Sequence, residues 1–157
     1  MASAYLSLGS NIGNRRKNLI IAASQLAERA GEVLALSAFH ETEPWGYKSN
    51  NKFLNIALRL ETSLTPLGLL SVAQQIEREL GRAPHRDATT YLDRTIDIDI
   101  LLYDDLKCDS QELILPHPRL HLRKFVLQPL AEIAPELCHP VLHQTIAELL
   151  KQVEQAD

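Results

Sequence analysis

The stretch Arg94-Thr95-Ile96-Asp97-Ile98-Asp99-Ile100-Leu101-Leu102-Tyr103 constrains the fold more than any other part of the chain. Its apolar, β-branched residues demand a strand, yet two acids interrupt the run. Side chains alternate along a strand, so Asp97 and Asp99 share a face, roughly 7 Å apart. Ile96, Ile98, Ile100 and Leu102 then fill the opposite face. Like charges at that spacing repel and lose hydration, so a strand built only for packing would not hold both. A cation between them resolves the conflict. Paired hard oxygens suit Mg²⁺, which takes one or two protein carboxylates and completes its shell with phosphate and water. An edge strand with one solvated face fits the Asp-x-Asp pattern equally well, so the neighbouring residues must decide.

Residues 82–94 lead into this strand with no helical or strand period and carry Arg82, Arg86 and Arg94. Guanidinium groups converging on two carboxylates make a phosphate-and-metal site, with metal bridging acids to phosphate and arginines gripping the other oxygens. That favours the metal reading. Long, irregular and basic beside the acids, the segment also has the properties of an active-site lid. Past the strand, Asp104-Asp105 turns the chain into a weak hairpin over 107–115, and Pro116 to Phe125 is again basic and irregular.

Earlier in the chain, Ala4 to Leu8 reads as a strand and Gly9 to Asn14 as a turn, without the Gly-Lys-Ser/Thr of a P-loop. A helix follows, with Leu19, Ala23, Leu26, Ala27 and Ala30 on one face and Gly31 past its end. Arg15, Arg16 and Lys17 have the wrong sign for its first turn. Either the helix starts later or they face an anion, and a solvated surface is the simpler account. Val33 to Thr42 and Phe53 to Thr62 are further strands. The latter alternates cleanly, with Phe53, Asn55, Ala57 and Arg59 opposite Leu54, Ile56, Leu58 and Leu60. Between them, residues 43–52 form a long loop holding the single Trp, Trp45. Thr65-Pro66 opens a second helix that ends at Gly81, with Leu69, Leu70, Ala73, Ile76 and Leu80 as its apolar stripe. Gln74 and Glu77 border that stripe, where a carboxylate caps a neighbour or lines a site. A closing helix spans Thr145 to Val153. The order strand–helix–strand, strand–helix–strand is that of an α+β ferredoxin-like plait, an antiparallel sheet with flanking helices, here expected on one face.

One domain, 1–157, suits this length. The net charge of −4 argues against a nucleic-acid or membrane-surface binder, so any anion site is local. Cys108 and Cys138 are too few and too far apart for a disulfide framework, and no leader or spanning segment is visible. The expected compartment is the cytoplasm.

These residues resemble the hydroxymethyldihydropterin pyrophosphokinases of folate biosynthesis, from Tyr5 to about Leu137. The resemblance rests on Leu8-Gly9-Ser10-Asn11, Thr42 to Gly46, Phe53-Leu54-Asn55, Glu77 with Gly81-Arg82, and Arg94 to Leu101. Pro116-His117-Pro118 and Arg123-Lys124-Phe125-Val126 extend it. It implies transfer of the β,γ-diphosphate of ATP to the hydroxymethyl group of the pterin, with release of AMP. It implies two Mg²⁺ on Asp97 and Asp99, with Arg82 and Arg94 in the catalytic set. It further implies ATP contacts from Gln74, Glu77, Arg82, Tyr91, Arg94, Ile100, His117 and Arg123. The pterin pocket would be Thr42, Pro44, Trp45, Gly46, Phe53, Asn55 and Phe125, two rings sandwiching the ligand while the Asn amide reads its polar edge. Whether another folate-pathway enzyme docks on the chain is left open.

Departures concern the loop. Thr90-Tyr91-Leu92-Asp93-Arg94 stands where the family often has Arg-Trp-x-Pro-Arg, and Pro118 replaces a tyrosine. Tyr91 can stack in place of Trp; Thr90 cannot replace a guanidinium, for which Arg86 is the candidate. Two other classes use the same features. A plait that binds RNA needs stacking aromatics on the sheet and a basic face, and only Phe53 fits. A Mg²⁺-dependent phosphohydrolase would also use Asp97 and Asp99, but it needs a base to activate water, and no His or Glu is clearly placed for that.

Overall fold

The structure, a computed structural model, describes residues 1–43, 51–81 and 95–156. Its strands are β1 (Ala2–Ser10), β2 (Glu32–Leu36), β3 (His40–Thr42), β4 (Phe53–Thr62) and β5 (Asp97–Tyr103), followed by the short pair β6 (Cys108–Asp109) and β7 (Ile114–Leu115). The helices are α1 (Arg15–Arg29), α2 (Pro66–Glu79), α3 (Lys124–Ile133) and α4 (Ile146–Ala156). The main sheet runs β2-β4-β1-β5, with β3 also on β4 and every pair antiparallel.

Period-two alternation puts Leu6 and Leu8 of β1, Leu54, Ile56, Leu58 and Leu60 of β4, and Ile98 and Ile100 of β5 on one face. Leu19, Ala22 and Leu26 of α1 and Leu69, Ala73 and Ile76 of α2 close over them. Each fully buried Leu or Ile here stabilises the fold by about 1.5–3 kcal/mol. Both helices start on side-chain caps: Asn14 accepts from the Lys17 N–H, and Thr65 from the Gly68 N–H. Gly31 follows α1 where a Cβ would stand 2.0 Å from the Glu61 carbonyl oxygen, so only glycine lets the chain pass.

Helices on one face was too small an expectation. α3 and α4 lie on the other face, where Leu120, Val126, Leu127, Leu130, Ile146 and Leu149 pack on Tyr5, Ala57, Leu101 and Leu102. The grouping of Leu102 with Ile96, Ile98 and Ile100 is corrected too. β5 has a bulge against β1: Tyr5 pairs with Leu102 but Leu6 with Ile100, so Leu101 is an extra residue. The extra residue reverses sidedness beyond it, and both leucines join the second core.

The single strand expected over Val33 to Thr42 is two. The Ser37 N–H still reaches the Ala57 carbonyl, but the Ser37 hydroxyl, not its carbonyl, accepts from the Ala57 N–H. Glu132 of α3 then takes the Ala38 N–H. Side-chain acceptors thus replace the ladder and bend the chain before β3. Helix α1 does begin at Arg15. Arg15 donates to the Lys52 carbonyl and pairs with Glu41 at 2.8 Å, while Arg16 lies 4.6 Å from the Phe39 ring centroid. These cations therefore meet the protein itself. Among the described residues no helix is long and apolar enough to cross a membrane.

Candidate active site

The second core stops at Tyr5, Ala57 and Leu101, and past it the same sheet face turns polar. Partners in an antiparallel pair share a face, so register alone places the side chains. Asn55, Gly9 and Asp97 form one row across β4, β1 and β5; Ala57, Ser7 and Asp99 form the next. At the usual strand spacing Asn55 and Asp97 stand about 10 Å apart. Between them is bare backbone. A Cβ on Gly9 would lie 2.8 Å from Asn55 Oδ1 and 3.3 Å from Phe53, so glycine lets both side chains lean over β1. Sequence reading put Gly9 in a turn; a glycine inside a strand was the signal for close approach.

Asn55 is buried, and its Nδ2 donates to Thr42 Oγ1 at 2.7 Å. β3 exists to hold Thr42 there, directly opposite Phe53 on β4. The pair fixes the amide with its oxygen over the Gly9 floor. Phe125 lies in the first turn of α3, which packs on β4, and its ring centroid lies 5.5 Å from the Arg123 guanidinium carbon.

Arg123 ends the 3₁₀ turn Leu120–Leu122 and brings charge to the acids. Burial lowers its pKa first; Asp99 opposes this, Arg119 adds to it, and Asp97 opposes it again. His117 is tied along β5 by its N–H to the Leu101 carbonyl. Its Nδ1 accepts from the Arg119 N–H at 3.2 Å, so the neutral ring carries its proton on Nε2. Burial foremost, then Arg123 and Arg119, pushes its pKa down to about 4. Arg119 is the residue sequence reading passed over. It acts on both His117 and Arg123, and its place in a basic run was the available signal.

The depressed His117 has a measurable consequence. The unfolded chain takes up this proton near pH 6.5, whereas the native ring refuses it until about pH 4. Native stability is therefore full above the higher value and falls as pH drops through that window. Part of the ring is exposed, which limits the loss to about 1–2 kcal/mol. His139, lowered by burial first and then by His121 and His143, contributes with the same sign. Melting temperature should fall between pH 6.5 and 4 in the native chain and fall less in His117→Gln. Parallel profiles would show that His117 titrates normally.

On the far edge of β5, Glu77 is buried and its Oε2 accepts from the Ile98 N–H at 2.7 Å. Gln74 is exposed one turn earlier on α2. Ile100 turns its side chain into the first core rather than towards the acids. A polar cleft of about 390 Å³ lies between the Asn11–Gly13 turn, Arg15, Glu41 and Lys52. Pro44, Trp45, Gly46, Arg82, Arg86, Thr90, Tyr91 and Arg94, and with them the expected lid, lie outside the described residues.

Asp97 and Asp99 are half-buried, acid-only and on one face, a donor set that fits a hard cation. Among the described residues no three His, Cys, Asp or Glu side chains cluster to hold a metal. A cation here would draw its remaining ligands from phosphate and water, as Mg²⁺ does.

An antiparallel sheet with helices on both faces, and with Asp97, Asp99, Arg123 and His117 towards its open end, places the chain in the ferredoxin-like α+β class. Within that class the chain belongs to the 7,8-dihydro-6-hydroxymethylpterin-pyrophosphokinase (HPPK) family, whose model matches residues 5–135. It is 50% identical over 141 residues to the 2-amino-4-hydroxy-6-hydroxymethyldihydropteridine pyrophosphokinase of Porphyromonas gingivalis, covering 89% of this chain and 95% of that one. The Bacillus subtilis protein of the same name is 44% identical over 135 residues, 85% of this chain and 79% of its own. Folic acid synthesis protein fol1 of Schizosaccharomyces pombe is 42% identical over 96% of this chain, which spans only 20% of fol1. Among solved structures, an HPPK-DHPS chain in complex with substrates superposes with a TM-score of 0.77 at 16% identity. That match covers 99% of this chain and 44% of the other, and at such identity it speaks for the fold alone.

Proposed function

We propose that the chain transfers the diphosphate of ATP to the hydroxymethyl group of 6-hydroxymethyl-7,8-dihydropterin, releasing AMP, in folate biosynthesis. One observation carries the site reading: Asn55, expected in the pterin pocket, and Asp97, expected on metal, share a cross-strand row with only Gly9 between them. A pterin read by Asn55 then presents its hydroxymethyl group towards the acids. The hydroxyl oxygen attacks the β-phosphorus, the bond from that phosphorus to the bridging oxygen breaks, AMP leaves with that oxygen, and the hydroxyl proton passes to water.

Asp97 and Asp99 would hold two Mg²⁺. When bound, Mg²⁺ neutralises and orients the polyphosphate oxygens. Arg123 supplies a fixed cation beside them, and His117 offers its Nε2–H to a phosphate oxygen without adding charge. Thr42 sets the Asn55 amide, and Phe53 and Phe125 are the stacking rings. Gln74 and the backbone of Ile100 border ATP, joined by Arg82, Tyr91 and Arg94, while Pro44, Trp45 and Gly46 complete the pterin pocket; Glu77, buried against β5, meets the Ile98 N–H instead. The chain acts as one domain and works in the cytoplasm, in keeping with its free thiols. A separate enzyme of the same pathway is the partner to look for.

A coupled assay for AMP tests the reading. AMP should form from ATP only when Mg²⁺ and the hydroxymethyl pterin are both present. Phosphate release without pterin would point to a phosphohydrolase instead.

A further inference from the structure

Among the described residues Glu77 is the one buried acid, at 7% exposure. Burying a carboxylate is costly unless strong hydrogen bonds offset the lost water. One partner is the Ile98 N–H, 2.7 Å from Oε2. Among the described residues β5 is the edge of its sheet and pairs within it only with β1. A residue of an antiparallel edge strand turns its backbone groups either to its partner or outward, and the Ile98 N–H turns outward to α2. Ile98 sits between Asp97 and Asp99.

We propose that Glu77 is a positioning residue: as a backbone acceptor from α2 it pins the strand residue between Asp97 and Asp99 and so sets where both carboxylates stand. This rests on the reading of Asp97 and Asp99 as metal ligands. The anchor for the pin is firm, because Ala73 and Ile76 on the same helix are locked in the first core. Its leverage is large, because one shift of Ile98 moves both flanking acids together. Mg²⁺ demands near-ideal octahedral geometry, so small displacements of its ligands matter. The role asks for an acceptor oxygen at this place; it does not ask for charge.

The test compares Glu77→Ala, Glu77→Gln and Asp99→Ala with the native chain. Amide exchange at Ile98 is read by NMR on the ligand-free protein, and the Mg²⁺ concentration for half-maximal turnover is read by AMP release. In Glu77→Ala the Ile98 amide should exchange at least about tenfold faster. The Mg²⁺ requirement should rise by about tenfold, with kcat at saturating Mg²⁺ falling less. Glu77→Gln, which keeps the acceptor, should stay close to native in both. If Glu77→Ala does not fold, Glu77→Asp takes its place, one methylene short of the N–H. An unchanged Mg²⁺ requirement in Glu77→Ala, with Asp99→Ala inactive, would overturn the positioning role alone. So would a loss in Glu77→Gln as large as in Glu77→Ala, since charge would then be what counts. Normal turnover by Asp99→Ala would instead overturn the metal-ligand reading, and the positioning role with it.

Discussion

Alanine in place of Asp99, or of Asp97, is expected to reduce turnover by about 10³-fold or more, as loss of several kcal/mol of charge stabilisation requires. The protein should fold normally. Both side chains are half-buried on the face turned away from the first core, so no packing is lost. Removing one of two like charges relieves repulsion, and the melting temperature should hold or rise. Any gain should be smaller for Asp99→Ala, because Asp99 is the stronger of the two acids whose field offsets the burial of Arg123. Turnover near the native rate at saturating Mg²⁺, in either variant, would sink the two-carboxylate site. Circular dichroism and melting curves on the same samples separate a dead site from an unfolded one.

Asn55→Ala should weaken pterin binding by about 1–3 kcal/mol, the cost of leaving ligand polar groups unpaired. That is roughly 5- to 150-fold in dissociation constant. ATP affinity should barely move, because the amide stands in the β4 half of the row and the acids in the β5 half. The variant also strips Thr42 Oγ1 of the donor at 2.7 Å, so Thr42→Val is the matching control. If Thr42 acts only by orienting Asn55, its loss should be smaller and in the same direction. Calorimetry with each ligand decides: equal losses for ATP and pterin would make Asn55 a structural residue.

Legibility in the sequence followed how local each determinant is. β4 was readable to the residue, because Phe53 to Thr62 alternates without a break and a two-residue period has one solution. The α2 boundaries were readable because Thr65, Pro66 and Gly81 are themselves the signals. Two acids in an apolar strand announced a site on their own. The second layer was hidden, since Ala57 and Tyr5 look the same under a helix as under water. α3 was hidden as well: it starts in a basic run and contains Pro129, which normally argues against a helix interior. Ser37 broke a strand through a side-chain bond that depends on β4 being alongside. Glu77 was read as a cap or a site wall, and which N–H it meets depends on packing between segments 21 residues apart. The roles of Arg119 and Gly9 likewise arise from neighbours distant in sequence.

The extra residue at Leu101 makes β5 a strand with two frames. From Asp97 to Ile100, odd positions are chemical and even positions structural; from Leu102 onwards the parity is exchanged. Chemistry and architecture are thereby uncoupled within seven residues. The acids keep one parity while the strand's far end is free to anchor the α3–α4 layer with the other. Point substitutions at 101 or 102 alter only how well a core is filled. A single-residue deletion there is a different kind of change, a frameshift in space: it forces either the anchor or the acids onto the wrong side of the sheet. The leucines can therefore change in size, but the count between Asp99 and Tyr103 is a quantity the fold has to keep.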